Sequence, residues 1–132
     1  MMKVISAKGR RKNAIARATL TAGSGIVRIN SFLFNSIPES MYKDKISEPL
    51  ILAQDSVKLV NITVTVKGGG INSQSEAIRL AIAKVLSNYN KKLQKQFLEY
   101  DRSLLVADIR RKETRKPNRH GKARAKVQKS YR

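Results

Sequence analysis

The last 23 residues, Arg110 to Arg132, cannot contribute to a hydrophobic core. They carry 11 Lys/Arg, one acid (Glu113) and four apolar or aromatic side chains. That is a net +10 of the chain's +19. Too little apolar surface is present there to offset the entropy of ordering. The segment is therefore disordered alone or ordered by something strongly anionic. Positive charge spread over so many residues suits a phosphate backbone better than any small ligand. The fold must be made by the residues before it. A composition break after Ile109 divides a globular body, residues 1–109, from an extended basic tail, residues 110–132.

The body is basic as well. It holds 17 of the 28 Lys/Arg and eight of the nine acids, for +9. A chain of 132 residues suits one domain with one core. There are three Phe, four Tyr and no Trp, so that core must be mainly Ile, Leu, Val and Ala. Cysteine is absent, which excludes disulfides and thiolate metal sites and agrees with a reducing compartment. No apolar run approaches the ~20 residues needed to span a bilayer. The segment from Met1 to Gly9 has no apolar stretch long enough for a signal peptide. The expectation is a soluble, cytoplasmic protein.

Periodicity divides the body into elements. Val4 to Lys8 alternates weakly and starts a strand. Ala14 to Ala22 alternates more clearly, with Ala14, Ala16, Ala18 and Leu20 on one face and Ile15, Arg17, Thr19 and Thr21 on the other. Gly23-Ser24-Gly25 reads as a tight hairpin turn, with Ile26 to Asn30 as the return strand. Ser31 to Pro38 reads as a loop folded onto the core. Ser47-Glu48-Pro49 reads as a helix start, with proline near the first position. Lys58 to Lys67 is the strongest strand, with Val60, Ile62, Val64 and Val66 sharing a face, and Gly68-Gly69-Gly70 ends it. Ser75 to Tyr89 is the strongest helix, with an apolar stripe of Ile78, Ala81, Ile82, Val85, Leu86 and Tyr89. A shorter helix spans Lys91 to Tyr100, with Leu93, Phe97 and Leu98 apolar. Leu104-Leu105-Val106 is a last apolar anchor. The order predicts a small α/β (α+β) domain, a mixed sheet with helices on one face. The opposite face, bearing Arg17 and threonines, is free to meet a partner.

Catalytic chemistry finds little to work with. The one histidine, His120, sits in the tail without a packed shell to orient it. Asp101 and Asp108 read as local ion-pair or capping partners rather than an acid–base pair. No Asp, Glu and His set has metal-ligand spacing, so no metal and no cofactor is expected. The glycine run lacks the Gly-Lys-Ser/Thr ending of a phosphate loop and the spacing of a dinucleotide fold. It is a strand-to-helix turn, or a place where nucleic-acid backbone comes close to helix amides. Gly9-Arg10-Arg11-Lys12-Asn13 is a basic cluster at the mouth of a strand and a candidate for direct phosphate contact. In the tail, arginines can grip phosphate with two parallel bonds and stack on bases.

The run Gly9-Arg10-Arg11-Lys12-Asn13-Ala14-Ile15-Ala16-Arg17-Ala18 resembles the opening strand signature of the small-subunit ribosomal protein nine family. Gly68-Gly69-Gly70 followed by Gln74 to Ala83 resembles its glycine turn and helix. Asp101, Arg110 to Glu113 and the closing Gln128-Lys129-Ser130-Tyr131-Arg132 resemble its C-terminal extension. The three stand in the family's order and cover nearly the whole chain. The Lys-Ser-Tyr-Arg ending and Lys116 to Gly121 look archaeal or eukaryotic, since bacterial members end without this tyrosine. The compact length favours archaeal.

The resemblance implies the ribosomal-protein-S-five domain-two-like fold and a place in the head of the small ribosomal subunit, among neighbouring head proteins. It implies rRNA binding through Arg10, Arg11, Lys12, Asn13, Arg17, Gly68, Gly69 and Gly70. In the tail it adds Arg110, Arg111, Lys112, Arg115, Lys116, Arg119, Lys122, Arg124 and Lys126. It implies contact with P-site tRNA at Lys129, Tyr131 and Arg132. No membrane and no small-molecule substrate is expected, and the chain is not an enzyme. The rival readings are a free-standing nucleic-acid chaperone or chromatin-like protein, and a phosphate-transferring enzyme built on the glycine turn. The missing lysine and acid constellation weigh against the enzyme.

Overall fold

Alternation in the sequence becomes five strands: β1 (Ile5–Arg11), β2 (Ala14–Ala22), β3 (Val27–Ile29), β4 (Phe32–Leu33) and β5 (Val60–Lys67). The computed structural model describes residues 3–119 and 121–124. The strands form one mixed sheet in the order β1-β2-β5-β3-β4. Only β3 and β5 run parallel; the other neighbours are antiparallel. Four helices follow: α1 (Met41–Leu52), α2 (Gln54–Val57), α3 (Ile71–Tyr89) and α4 (Lys92–Tyr100). The long helix α3 packs on β1, β2 and β5, and α1 and α4 pack on α3. This is the mixed sheet with helices on one face that the element order predicts. It agrees with the ribosomal-protein-S-five domain-two-like fold.

The core lies between β2, β5 and α3. Ala14, Ala16, Ala18 and Leu20 are buried, as are Val60, Ile62, Val64 and Val66, so both alternations hold. Small residues set how close the helix comes. Gly9 pairs with Ala16 across β1 and β2. A Cβ added at Gly9 would lie 2.1 Å from the Ala77 carbonyl oxygen and 2.7 Å from the Ala81 nitrogen. Only glycine lets the edge strand touch the α3 backbone. Phe97 and Leu104 close the far side of α3, both fully buried.

Several expectations need correction. Gly23 to Gly25 does not join a hairpin. Strand β5 inserts between β2 and β3, and the turn arches over its start, with Gly23 N donating to Leu59 O and Gly25 N to Val60 O. Eight consecutive pairs, from Ile15 with Lys67 to Ala22 with Val60, join β2 to β5. The three-residue β3 offers far fewer. Asn30 then does with its side chain what a longer strand would do with backbone. Its Oδ1 accepts from Val66 N at 2.9 Å and its Nδ2 donates to Val66 O at 3.3 Å.

Helix α1 starts eight positions before Pro49 rather than at it. Ser40 is its N-cap, and Pro49 sits buried in the last turn. Burial of Ile46 and Pro49 against α3 outweighs the propensity signal. Helix α3 begins at Ile71, four residues before the expected start at Ser75. Within Ser31 to Pro38, Phe34 and Ile37 do pack on the core, but Phe32 and Leu33 form an exposed edge strand. Tyr89, Leu98 and Val106 are exposed rather than core: Tyr89 is the last residue of α3, Leu98 lies in the last turn of α4, and Val106 lies in a bend beyond it.

Candidate nucleic-acid interface

Strand β1 ends in the basic cluster, and the strand geometry splits it. Successive side chains on a strand point to opposite faces. Arg10 is exposed, on the open face with Ile15 as its cross-strand partner. Arg11 points to the helix side, with 16% of its side chain exposed. There its Nε donates to Glu76 Oε2 at 2.6 Å, and its Nη1 lies 3.0 Å from Asp108 Oδ2 without hydrogen-bond alignment. Lys45 reaches the other Glu76 oxygen at 3.3 Å. Arg11 is thus occupied by internal ion pairs, unlike its neighbours in the cluster.

A second pairing lies beside the first. Arg79 Nε donates to Glu48 Oε2 at 2.6 Å, and its two terminal nitrogens donate to Ser103 Oγ and Asp101 Oδ2 at 2.9 and 3.0 Å. Asp101 also accepts from Ser103 N at 2.9 Å and so caps the short 3₁₀ turn Arg102–Leu104. Asp108 accepts from the Arg110 backbone and side chain. Both aspartates are the local partners expected of them. Together these contacts tie β1, α1, α3 and the chain beyond α4 into one frame at the root of the tail.

Lys12 and Asn13 form the two-residue turn between β1 and β2, with Lys12 at a left-handed φ of 51°. The glycine run lies directly beneath. A Cβ at Gly68 would meet the Asn13 carbonyl oxygen at 2.6 Å, and one at Gly69 would meet Ala14 at 3.0 Å. Gly68 and Gly69 also take φ of 78° and 68°, which favour glycine. These two glycines serve the close packing of two turns. Gly70, the N-cap of α3, has nothing within 4 Å of its added Cβ and is the one with open space before it.

The tail root faces this turn. Arg11, Lys12, Asn13, Arg110, Arg111, Lys112, Glu113, Thr114 and Arg115 line one open cleft of about 940 Å³. Six of those nine residues are basic and one is acidic, so the cleft attracts polyanions. All but Arg11 are exposed. Sequence-distant basic runs, 11–13 and 110–115, are therefore neighbours in space. Further along, the tail has no helix or strand among the described residues. It is not straight: Lys116 N donates to Lys122 O at 3.3 Å, and Arg124 Nε to Glu113 Oε2 at 3.0 Å. Pro117 followed by Asn118 at φ 59° makes the bend. Arg119 is exposed. Lys126, Lys129, Tyr131 and Arg132, like His120, lie outside the described residues.

Residues 9–132 match the model of the family described as ribosomal protein S9/S16. This chain belongs to that family. It is 46% identical over 134 residues to the small ribosomal subunit protein uS9 of Methanococcus maripaludis strain C7, covering 99% of this chain and 100% of the relative. The proteins of the same name from Thermoplasma volcanium and Methanothrix thermoacetophila are 43% and 42% identical, with the same coverage. The archaeal character expected from the tail is shared by these relatives. A ribosomal S9/S16 protein is a structural component and not an enzyme. No group of three His, Cys, Asp or Glu among the described residues could hold a metal ion, and no described helix is long and apolar enough to cross a membrane.

In this S9/S16 chain the ion pairs of Asp108 at the tail root are expected to persist in mild acid. Hydrogen bonds from the Arg110 side chain and backbone pull the Asp108 carboxyl down to about 2. Burial pushes Glu76 up, but hydrogen bonds from Arg11 and Lys45 outweigh it and leave the group below its ordinary value. A carboxyl lowered by folding stabilises the fold above its unfolded value and loses that contribution as pH falls through its folded value. The contacts of Asp108 should therefore persist from neutrality to about pH 4 and be lost on approach to pH 2. Carbon-13 carboxyl shifts of Asp108 followed by NMR would show this midpoint. A midpoint near 4 would mean that Arg110 does not hold it.

Sequence reasoning placed Arg17 on the sheet face away from the helices, and the structure finds it exposed there, between Lys8 and Thr65. It missed Lys8, Arg28 and Lys67, which lie on the same face. The period-two alternation of β1, β3 and β5 carried that signal.

Proposed function

We propose that this chain is a structural component of the small ribosomal subunit in the cytoplasm. Its body, residues 1–109, anchors to small-subunit rRNA in the subunit head, beside neighbouring head proteins. Its tail, residues 110–132, threads through rRNA and brings Lys129, Tyr131 and Arg132 to P-site tRNA. One observation supports this most: the β1–β2 turn and the tail root, far apart in sequence, line one basic cleft, in a chain whose relatives are named small ribosomal subunit proteins. Phosphate contacts position such a protein, and guanidinium groups make them bidentately without reading bases.

A free-standing chaperone or chromatin-like protein is the competing class. Tagged protein in a cell lysate should sediment with small subunits at moderate salt, whereas the competing class predicts free or DNA-bound protein. The tRNA role has its own test. Deleting Ser130 to Arg132 should leave subunit assembly intact and speed P-site tRNA dissociation a few-fold for all codons alike. A lost contact of this kind is worth on the order of 1 kcal/mol. Equal off-rates for full-length and truncated subunits, at salt low enough to leave charge contacts unscreened, would sink the tRNA role.

A further inference from the structure

The open face of the sheet is cationic and uncompensated. Reading across it by register, Arg10, Ile15 and Lys67 form one row, and Lys8, Arg17 and Thr65 the next. Ser6, Thr19, Thr63 and Arg28 form a third. Five cations thus stand on one surface, with strands about 4.8 Å apart. None of the nine acids of the chain lies on any strand. They lie on helices, in loops and in the tail, and four of them, Glu48, Glu76, Asp101 and Asp108, pair with Arg11, Lys45, Arg79 and Arg110. Lys8, Arg10, Arg17, Arg28 and Lys67 make no ion pair with any described residue.

The arrangement opposes the fold's own stability. Lys8 and Arg17 are directly opposite each other, and like charges so placed repel. Lys67 is diagonal to Arg17, two residues along β5 from Thr65. A sheet face left to water has no need of this concentration. Between the cations stand Thr19, Thr63 and Thr65, whose hydroxyls donate to phosphate and to ribose hydroxyls. Exposed aromatic side chains, the platforms on which single-stranded bases stack, are absent from these three rows.

We infer that the open face of β1, β2, β5 and β3 is a second RNA-backbone docking surface, separate from the hairpin–tail cleft. Lys8, Arg17, Arg28 and Lys67 grip phosphates there, and the threonines contact the sugar–phosphate chain. The inference deepens the rRNA reading and rests on it. It makes the body a two-sided wedge: one set of phosphates meets the cleft at the end of the sheet, another meets the flat of the sheet.

The test uses the full chain and a transcript of small-subunit rRNA. Three proteins are compared with the parent: Lys8→Ala/Arg28→Ala/Lys67→Ala, the charge-keeping Lys8→Arg/Arg28→Lys/Lys67→Arg, and the cleft variant Lys12→Ala/Arg111→Ala. The first should weaken binding and flatten the log–log salt dependence by roughly 2–2.7, at about 0.7–0.9 per lost contact. The second should keep the parent slope. The first should also melt no lower than the parent, since it removes repulsion, which separates lost binding from lost folding. An unchanged slope in the first variant with a flattened slope in the cleft variant overturns the second surface and leaves the rRNA reading standing. Unchanged slopes in both overturn both. An unchanged slope in the first variant together with poorer incorporation into subunits assigns the face to an acidic protein neighbour and overturns the RNA inference.

Discussion

Replacing Gly9 with alanine should destabilise the body by about 3 kcal/mol or more, at the upper end of what overpacking costs. The added methyl would stand 2.1 Å from one backbone atom of α3 and 2.7 Å from another. Side chains can change rotamer to relieve a clash; helix backbone cannot. Strand β1 must lift from α3, and the Arg11 contacts to Glu76 and Asp108 loosen with it. That is a large part of the ~5–15 kcal/mol that holds a domain of this size. Urea unfolding of the two proteins measures it directly. Gly70→Ala is the control: its Cβ meets nothing within 4 Å, and the cost there should stay below about 1 kcal/mol, the scale of an N-cap exchange. Equal midpoints for Gly9→Ala and the parent would show that the seam between β1 and α3 has slack.

Stripping the cleft of its exposed cations should have the largest effect on rRNA binding. Lys12, Arg111, Lys112 and Arg115 are exposed around the cleft and are absent from the ion pairs among the described residues. Changing all four to alanine should flatten the log–log salt dependence of rRNA binding by roughly 3, at about 0.7–0.9 per phosphate contact. Arg11→Ala should behave differently. It leaves Glu76 with Lys45 alone and Asp108 with Arg110 alone, and should lower the melting temperature more than the salt slope. A quadruple variant with the parent's slope would mean that these charges are merely solvated.

Charge and periodicity carried much of this in the residues alone. The alternation of β2 and β5 and the apolar stripe of α3 are local patterns, and each maps onto the buried face it implies. The basic character of the tail was legible too, because it depends only on composition. The cluster at residues 10–13 was visible as a group, yet its members divide. Arg10 and Arg11 are adjacent in sequence and opposite in space. That consequence of the strand period could have been read once β1 was extended to Arg11.

What stayed hidden depends on partners distant along the chain. Nothing near Gly23 says that a strand formed some forty residues later will take the place beside β2. The eight pairs that β5 makes there, against the short β3, settle the order. The start of α1 follows from burial of Ile46 and Pro49 on α3, not from proline's local preference. Arg11 became internal because Glu76 and Asp108, 65 and 97 positions away, come within 2.6 and 3.0 Å of it. Local backbone preference and composition act over a few residues, so strands, a helix and a polyanion-seeking tail could be inferred from the string of residues. Strand order, the seam at Gly9 and the division of cations between internal pairs and open surface depend on contacts that exist only after the chain has closed on itself.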